Sequence, residues 1–460
     1  MVQQYRIGPV RGTHSPGPPP LPAFLAEAHG FFTDVWLEPR YAKGSMPHVV
    51  FIAPHFLQNT NRYVKAFCAL DDVTFSVVSE DGIDRIPEDV RGRVAGHYQV
   101  KSSFDAAELT RATRAIANSV GRVDRIAGAL EELQMPLAAV RDAMGIEGIG
   151  NDVARNFRDK DRMKDVLRAA NVPVARSGLA HSPSALRKFA EEVGFPIIVK
   201  PQAGLGARST YRVESNDDLL ALEKKGGAPS SDVPLQIEEF VRARERTCET
   251  VTIKGKAVWR SSTYYLPSVL EVVETPWVKY CVLLPREEND DELARFAPVN
   301  EKALAALFGA SAGTAAGTAL THMEWFLKGD GNALVNEVGV RPPGVQIMPL
   351  MSIAHESDYW SHWTELVALD RFAPKPRKWA AGAAFLRGQG AGDHIVSVEG
   401  IDAAIEEVGG ALVEMRTPKV GQARVSSYEG EGWATVRHAT TEGARRALKA
   451  IIERVQVRYG

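Results

Sequence analysis

The sequence has few cysteines, no long apolar run and no surplus of charge of either sign. Its three cysteines, Cys68, Cys248 and Cys281, are widely spaced and form no CxxC pair. That argues against a disulfide scaffold or a structural zinc site and agrees with a reducing, cytoplasmic setting. No apolar stretch approaches the roughly 18 residues that cross a bilayer. The N-terminus lacks the basic-then-apolar order of a secretory signal. Lys and Arg number 55 against 57 Asp and Glu, a formal net charge of −2. No field therefore draws the chain to nucleic acid or to an anionic membrane. Neither a Walker A segment nor GxGxxG occurs, so two common glycine-rich phosphate loops are missing.

What is present is ordinary core-forming material. The 460 residues are 45% hydrophobic and 24% charged, enough for about two to four domains. Residues 1–46 contain Ser15-Pro16-Gly17-Pro18-Pro19-Pro20. Proline lacks the N–H and fixes φ, so an irregular, extended arm is expected here, followed by a short helix over 24–31. Residues 47–150 read as a small α/β unit, with strands at 48–53 and 73–78 and a helix over 103–119. Gly145, Gly148 and Gly150 then mark a turn-rich boundary. Residues 151–375 hold the candidate chemistry. Residues 376–460 read as a separate α+β piece, with strands at 383–386, 411–415 and 434–437 and a last helix over 441–455. Gly388, Gly390 and Gly392 within it read as a structural turn.

Met163, Val166, Leu167 and Ala170 fall at helical spacing, so a helix from 159 is expected, ending before Pro173. Lys160 lies in its first turn, off the apolar stripe; alone, it reads as solvent-facing. Residues 194–201 form a buried strand that closes on Lys200. A lysine there must reach an anion or an edge, because an unpaired buried charge is very costly. Gly204, Gly206, Ala207, Arg208 and Ser209 follow; small residues let backbone N–H groups approach a phosphate. A polyphosphate clamp and a plain tight hairpin both fit. Residues 235–241 carry Glu238, Glu239, Phe240 and Val241, with Glu245 just beyond. Such a linker can meet an adenine edge and offer a carboxylate to ribose, or it can be an ordinary acidic strand end.

Two alternating runs, 321–327 and 333–338, flank Gly329-Asp330-Gly331-Asn332, a hairpin signal. A turn centred on Asp330-Gly331 sets Glu324 opposite Glu337. Directly opposed side chains have Cβ atoms about 4.5–5.5 Å apart, where like charges repel. A bridging cation or a proton relieves this, and an all-oxygen pair suits Mg²⁺; an exposed, screened hairpin is the alternative. Strand alternation points Asn336 to the other face. Arg341, on a loop stiffened by Pro342 and Pro343, can clamp a phosphoryl group with its planar fork. His322 shares a face with Glu324 and can bond a phosphate or a carboxylate, or serve as a core histidine. His355 and His362 are assigned no metal.

Taken in this order, the chain resembles the ATP-grasp superfamily over about residues 50–460. The resemblance implies an α/β and α+β protein with the ATP-grasp fold. A Rossmann-like pre-ATP-grasp domain would occupy 47–150, a two-lobed ATP-grasp region 151–375 and a C-terminal α+β subdomain 376–460. It implies that Lys160 and Lys200 contact ATP phosphates under the loop 204–209. Glu238, Glu239, Phe240 and Val241 would hold adenine and Glu245 the ribose. Glu324 and Glu337 would hold Mg²⁺, with Mn²⁺ as a substitute, and Arg341 and His322 are the catalytic candidates.

Thr321-His322-Met323-Glu324, the stretch from Glu337 to Gly344, and Phe385-Leu386-Arg387-Gly388-Gln389-Gly390 are similar to amino-acid ligases that make dipeptides and to carnosine-synthase-like enzymes. That implies activation of a carboxylate as an acyl phosphate and its coupling to an amine. The substrates would be small molecules, with no nucleic acid or membrane partner; a homodimer agrees with the family. Many members read Glu-x-Asn-x-Arg, but Gly339 replaces that asparagine here, which leaves the third metal ligand open. The alternatives are a biotin-carboxylase-like enzyme and a non-catalytic ATP-binding regulatory protein. No biotin carrier is seen in the chain, and both lysines, both glutamates and the arginine are retained.

Overall fold

The structure is a computed structural model that describes residues 4–6, 46–202, 209–224, 227–275, 278–288, 290–425 and 429–460. The helix expected at 24–31 and the loop residues Gly204, Gly206, Ala207 and Arg208 lie outside the described residues.

A parallel four-stranded sheet runs in the order Gly96–Gln99, Thr74–Ser79, His48–Ile52, Arg125–Ala127. Val49 to Ile52 are all buried, as a continuous apolar run in a parallel sheet requires. The helix expected from 103 starts at Ala106, because the Asp105 carboxylate accepts from the N–H groups of Ala107 and Glu108 and so caps it there. Phe51, Tyr63 and Phe67 surround Trp363 at centroid distances of 6.3, 5.0 and 6.1 Å. Trp363 belongs to the helix Tyr359–Leu369, so this aromatic cluster fastens the parallel unit to the rest of the molecule.

An antiparallel sheet runs Ser177–Ala180, Leu235–Glu239, Ile197–Pro201, Tyr211–Val213. The largest sheet passes from Gln4–Arg6 through Leu412–Arg416, Gly432–His438, Ala380–Leu386, Cys281–Leu284, Tyr264–Leu266 and Arg244–Ile253 to Ala319–Leu327 and Ala333–Gly339. The boundary expected near 376 does not interrupt it. Ala380–Leu386 pairs with Cys281–Leu284 on one side and with Gly432–His438 on the other. The N-terminal arm is not wholly irregular either, since Gln4–Arg6 pairs antiparallel with Leu412–Arg416. At Gly388 a Cβ would lie 2.4 Å from the Tyr459 ring, so that glycine serves close packing. The three cysteines are free and buried. Among the described residues no helix is long and apolar enough to cross a membrane.

Candidate active site

The antiparallel four-stranded sheet, the helix Lys160–Ala169 and the hairpin end of the large sheet bring most of the candidate residues together. The Asp159 carboxylate caps the helix Lys160–Ala169, accepting from the N–H groups of Asp161 and Arg162 at 3.1 Å. Lys160 turns inward from that cap. It is buried rather than solvent-facing, with Nζ 2.8 Å from Glu337 Oε1. One turn later the same helix delivers Lys164, which the sequence did not single out. Lys164 is fully buried, 3.5 Å from the Val335 carbonyl oxygen and 3.8 Å from Glu238 Oε1. Lys200 closes its strand as expected and finds its anion on the neighbouring strand, donating to Glu238 Oε2 at 3.0 Å.

Burial alone would raise the pKa of Glu238, but Lys164 and Lys200 outweigh it and hold the carboxyl at about 2. Burial pushes Lys164 down to about 8 against the pull of Glu238. Burial also opposes ionisation of Glu337, yet Lys160 and Lys200 keep it below the usual carboxylate range. Three lysines and two carboxylates thus alternate in one cluster, which is how a protein keeps several charges away from water.

On the linker, Glu238 points its side chain into the lysine cluster. Glu239 takes the opposite face, as strand alternation dictates, and accepts from the Arg176 N–H and Nε at 2.9 and 2.6 Å. Phe240 donates its N–H to the Pro196 carbonyl at 3.2 Å, and the guanidinium of Arg212 sits 5.2 Å from its ring. Val241 directly follows. Glu245 lies on Arg244–Ile253 opposite Phe326. Ser209, the described member of the glycine loop, has a left-handed φ of 55°.

Glu324 faces Glu337 as expected, but for another reason. The turn is a three-residue loop closed by Lys328 and Asn332: the Lys328 N–H donates to the Asn332 carbonyl, and the Gly331 N–H to the Lys328 carbonyl, both at 2.9 Å. Gly331 supplies the positive φ, 83°, that this loop demands. Followed outward, that loop would set Glu324 opposite Asn336. A bulge next to Glu324 shifts the register by one residue and restores the glutamate pair. It also overturns the expectation for Asn336. Its Nδ2 lies 3.4 Å from Glu324 Oε2, on the glutamate side.

His322 Nδ1 is 2.9 Å from Glu249 Oε1, and Nε2 is 3.8 Å from Glu324 Oε1. Burial disfavours its charge, but the two glutamates outweigh burial and raise its pKa to about 9. Arg341 places Nε and Nη2 at 3.1 and 2.9 Å from Glu131 Oε2, and Glu131 also accepts from Arg158. Glu131 and Glu249 were not foreseen. The only sequence signal for Glu131 is an acidic pair at the start of a helix.

His362 Nε2 is 2.6 Å from Ser357 Oγ, and His355 is tied to the backbone and to an arginine. The His355 Nδ1–H donates to the Lys375 carbonyl at 2.6 Å, while Nε2 accepts from Arg377 Nε at 3.3 Å. Burial, and next the Arg377 charge, push its pKa from 6.5 to about 4. The unfolded chain thus takes up the proton first, and this histidine's contribution to stability falls as pH drops from about 6.5 toward 4. Nitrogen-15 NMR is expected to show a neutral His355 ring at about pH 5; a protonated ring there would contradict this arrangement.

Among the described residues no group of three or more His, Cys, Asp or Glu could hold a metal by itself. Two facing carboxylates with an amide beside them form an oxygen-rich edge. That fits a hard cation completing its shell from substrate phosphates, as Mg²⁺ does, and does not fit a closed structural zinc site.

The architecture is the ATP-grasp fold. Residues 159–252 match the family described as the carbamoyl-phosphate synthase L chain, ATP binding domain. The chain is similar to the L-amino acid ligase from Bacillus licheniformis, with a TM-score of 0.66 and 16% identity over 90% of this chain and 99% of that one. N5-carboxyaminoimidazole ribonucleotide synthetase from Thermotoga maritima gives 0.62 and 16% over 90% and 100%. In sequence, the L-arginine-specific L-amino acid ligase of Bacillus subtilis is 25% identical over 245 residues, 52% of this chain and 57% of that protein. The carbamoyl phosphate synthase large chain of Halobacterium salinarum is 27% identical over 209 residues, 44% of this chain and 19% of that protein. The chain thus spans less than two thirds of either relative.

Proposed function

We propose that this protein is an ATP-dependent ligase that activates the carboxylate of an amino acid as an acyl phosphate and couples it to an amine. The observation that carries the proposal is the convergence of Lys160, Lys200, Glu324 and Glu337 at one corner of a fold shared with an L-amino acid ligase. In this reading Lys160 and Lys200 receive the ATP phosphates, residues 204–209 cover them, and residues 239–241 meet adenine through their backbone. Glu245 takes the ribose. Glu324 and Glu337 hold Mg²⁺, and Asn336 takes the part of the asparagine absent at Gly339. The bound cation would neutralise phosphate charge and screen the two carboxylates from each other.

The reaction needs positioning and charge neutralisation more than covalent work by the protein. A carboxylate oxygen attacks the γ-phosphorus, and the bond to the β,γ-bridging oxygen breaks with departure of ADP. The amine then attacks the acyl carbon. Phosphate leaves with that carboxylate oxygen, and the amine loses a proton. Arg341, its fork held by Glu131, lends its positive charge to the acyl phosphate. His322 donates to the carboxylate or to the transferring phosphoryl group.

Incubation with Mg-ATP and amino acids, singly and in pairs, tests the proposal through phosphate release and product mass. The expected result is release that depends on a particular pair, with a product lighter by one water than the two together. Phosphate release that no acid–amine pair stimulates would overturn it.

A further inference from the structure

A cavity of about 80 Å³ lies between the parallel unit and the start of the strand Ala319–Leu327. Its charged lining is Arg125, Arg141, Glu147, Arg341 and Asp370, with Gln134 and Thr318 beside them. The Arg125 side chain is 8% exposed. Its Nη1 donates to the Asp124 carbonyl and to Glu147 Oε2, both at 3.0 Å, but its Nη2 is buried without a hydrogen-bond partner. Among the described residues Arg141 donates to the carbonyls of Ile149 and Ile126, at 2.9 and 2.8 Å. Burial, and next the charge of Arg125, lower its pKa to about 10, so it stays charged at neutral pH.

The charge of Asp142 acts on Arg141 but does not outweigh burial and Arg125. Glu147 is 60% exposed and already engaged by Arg125, and Arg341 is matched by Glu131. Asp370 is partly exposed and lies at the end of the helix Tyr359–Leu369. Among the described residues Arg141 forms no ion pair. Buried charges are ordinarily paired, and a buried guanidinium N–H without an acceptor is costly. A water needs about 10–15 Å³ of such space, so the cavity has room for a small anion.

We infer that this cavity binds a small anion, a carboxylate or inorganic phosphate, which accepts from Arg125 Nη2 and rests in the field of Arg141. None of its lining belongs to the Lys160–Lys200 cluster, but it shares Arg341 with the site proposed above.

Calorimetric titration with sodium phosphate and with sodium acetate, against chloride at constant ionic strength, tests this on wild type, Arg125→Gln, Arg125→Lys and Lys200→Gln. At least one anion is expected to saturate wild type and Lys200→Gln alike. It should weaken about tenfold or more in Arg125→Gln, the scale of a lost hydrogen bond to a charged group. Arg125→Lys keeps the charge without the fork and guards against a fold defect; it should also bind more weakly. Saturation by phosphate alone would assign a tetrahedral anion, and saturation by acetate a carboxylate. No saturable binding to wild type would overturn the inference. Binding lost in Lys200→Gln but unchanged in both Arg125 variants would also overturn it, by moving the anion to the other cluster.

Discussion

Replacing Glu337 by Gln is expected to lower kcat on the order of 10³-fold, since a catalytic cation supplies several kcal/mol of charge stabilisation and each 1.36 kcal/mol is tenfold in rate. Two features make Glu337 the sensitive position. It faces Glu324 across the hairpin, so the pair presents one oxygen-rich edge to a cation. It also accepts from Lys160 at 2.8 Å, which ties that edge to the lysines proposed for the phosphates. Glutamine keeps the shape but removes the charge that both functions use. Its side chain is 26% exposed, so the fold should survive. Circular dichroism checks the fold, and phosphate release at saturating Mg²⁺ checks the rate. Wild-type turnover in this variant would refute the metal assignment.

Glu238→Gln is expected to act on stability first. Glu238 is 4% exposed and lies between Lys200 at 3.0 Å and Lys164 at 3.8 Å. Removing its charge leaves two buried ammonium groups facing an amide, and breaking a buried ion pair in this way costs about 3–5 kcal/mol. The pH dependence separates this from a simple packing defect. The folded carboxyl is held at about 2, below its ordinary 4.5, so its contribution is complete above about 4.5 and is lost as pH falls through about 2. Urea unfolding of wild type should therefore weaken over that acid range, and the variant should lack this component. Equal stability of the two proteins at neutral pH would contradict the ionic account of the cluster.

Much of this arrangement was legible in the sequence, and the exceptions have physical causes. A lysine closing an apolar strand announces a partner, and Lys200 has one in Glu238. Lys160 announced nothing, because the surface-like position in its helix is buried only by tertiary contact with the hairpin. Lys164 was invisible for the same reason. The facing glutamates were legible, but the route to them was not. A three-residue loop and a bulge cancel each other in register, and no composition signal marks a bulge in a strand of ordinary residues. That bulge also defeated the alternation argument for Asn336. Glu131 and Arg341 are 210 residues apart, a distance over which no local pattern speaks. The strands near 380, 412 and 432 were legible one by one, yet their pairing into the same sheet as Cys281–Leu284 was not, since alanine-rich strands carry no mark of their neighbours.

The central claim, passage through an acyl phosphate, is tested most directly by isotope transfer. The carboxylate substrate, labelled with oxygen-18 in both carboxyl oxygens, is turned over with unlabelled Mg-ATP and amine, and the released phosphate is weighed by mass spectrometry. Attack by the carboxylate on the γ-phosphorus predicts one labelled oxygen in each phosphate released. Product formed with unlabelled phosphate would mean that the carboxylate never bonded to phosphorus, and would contradict the account.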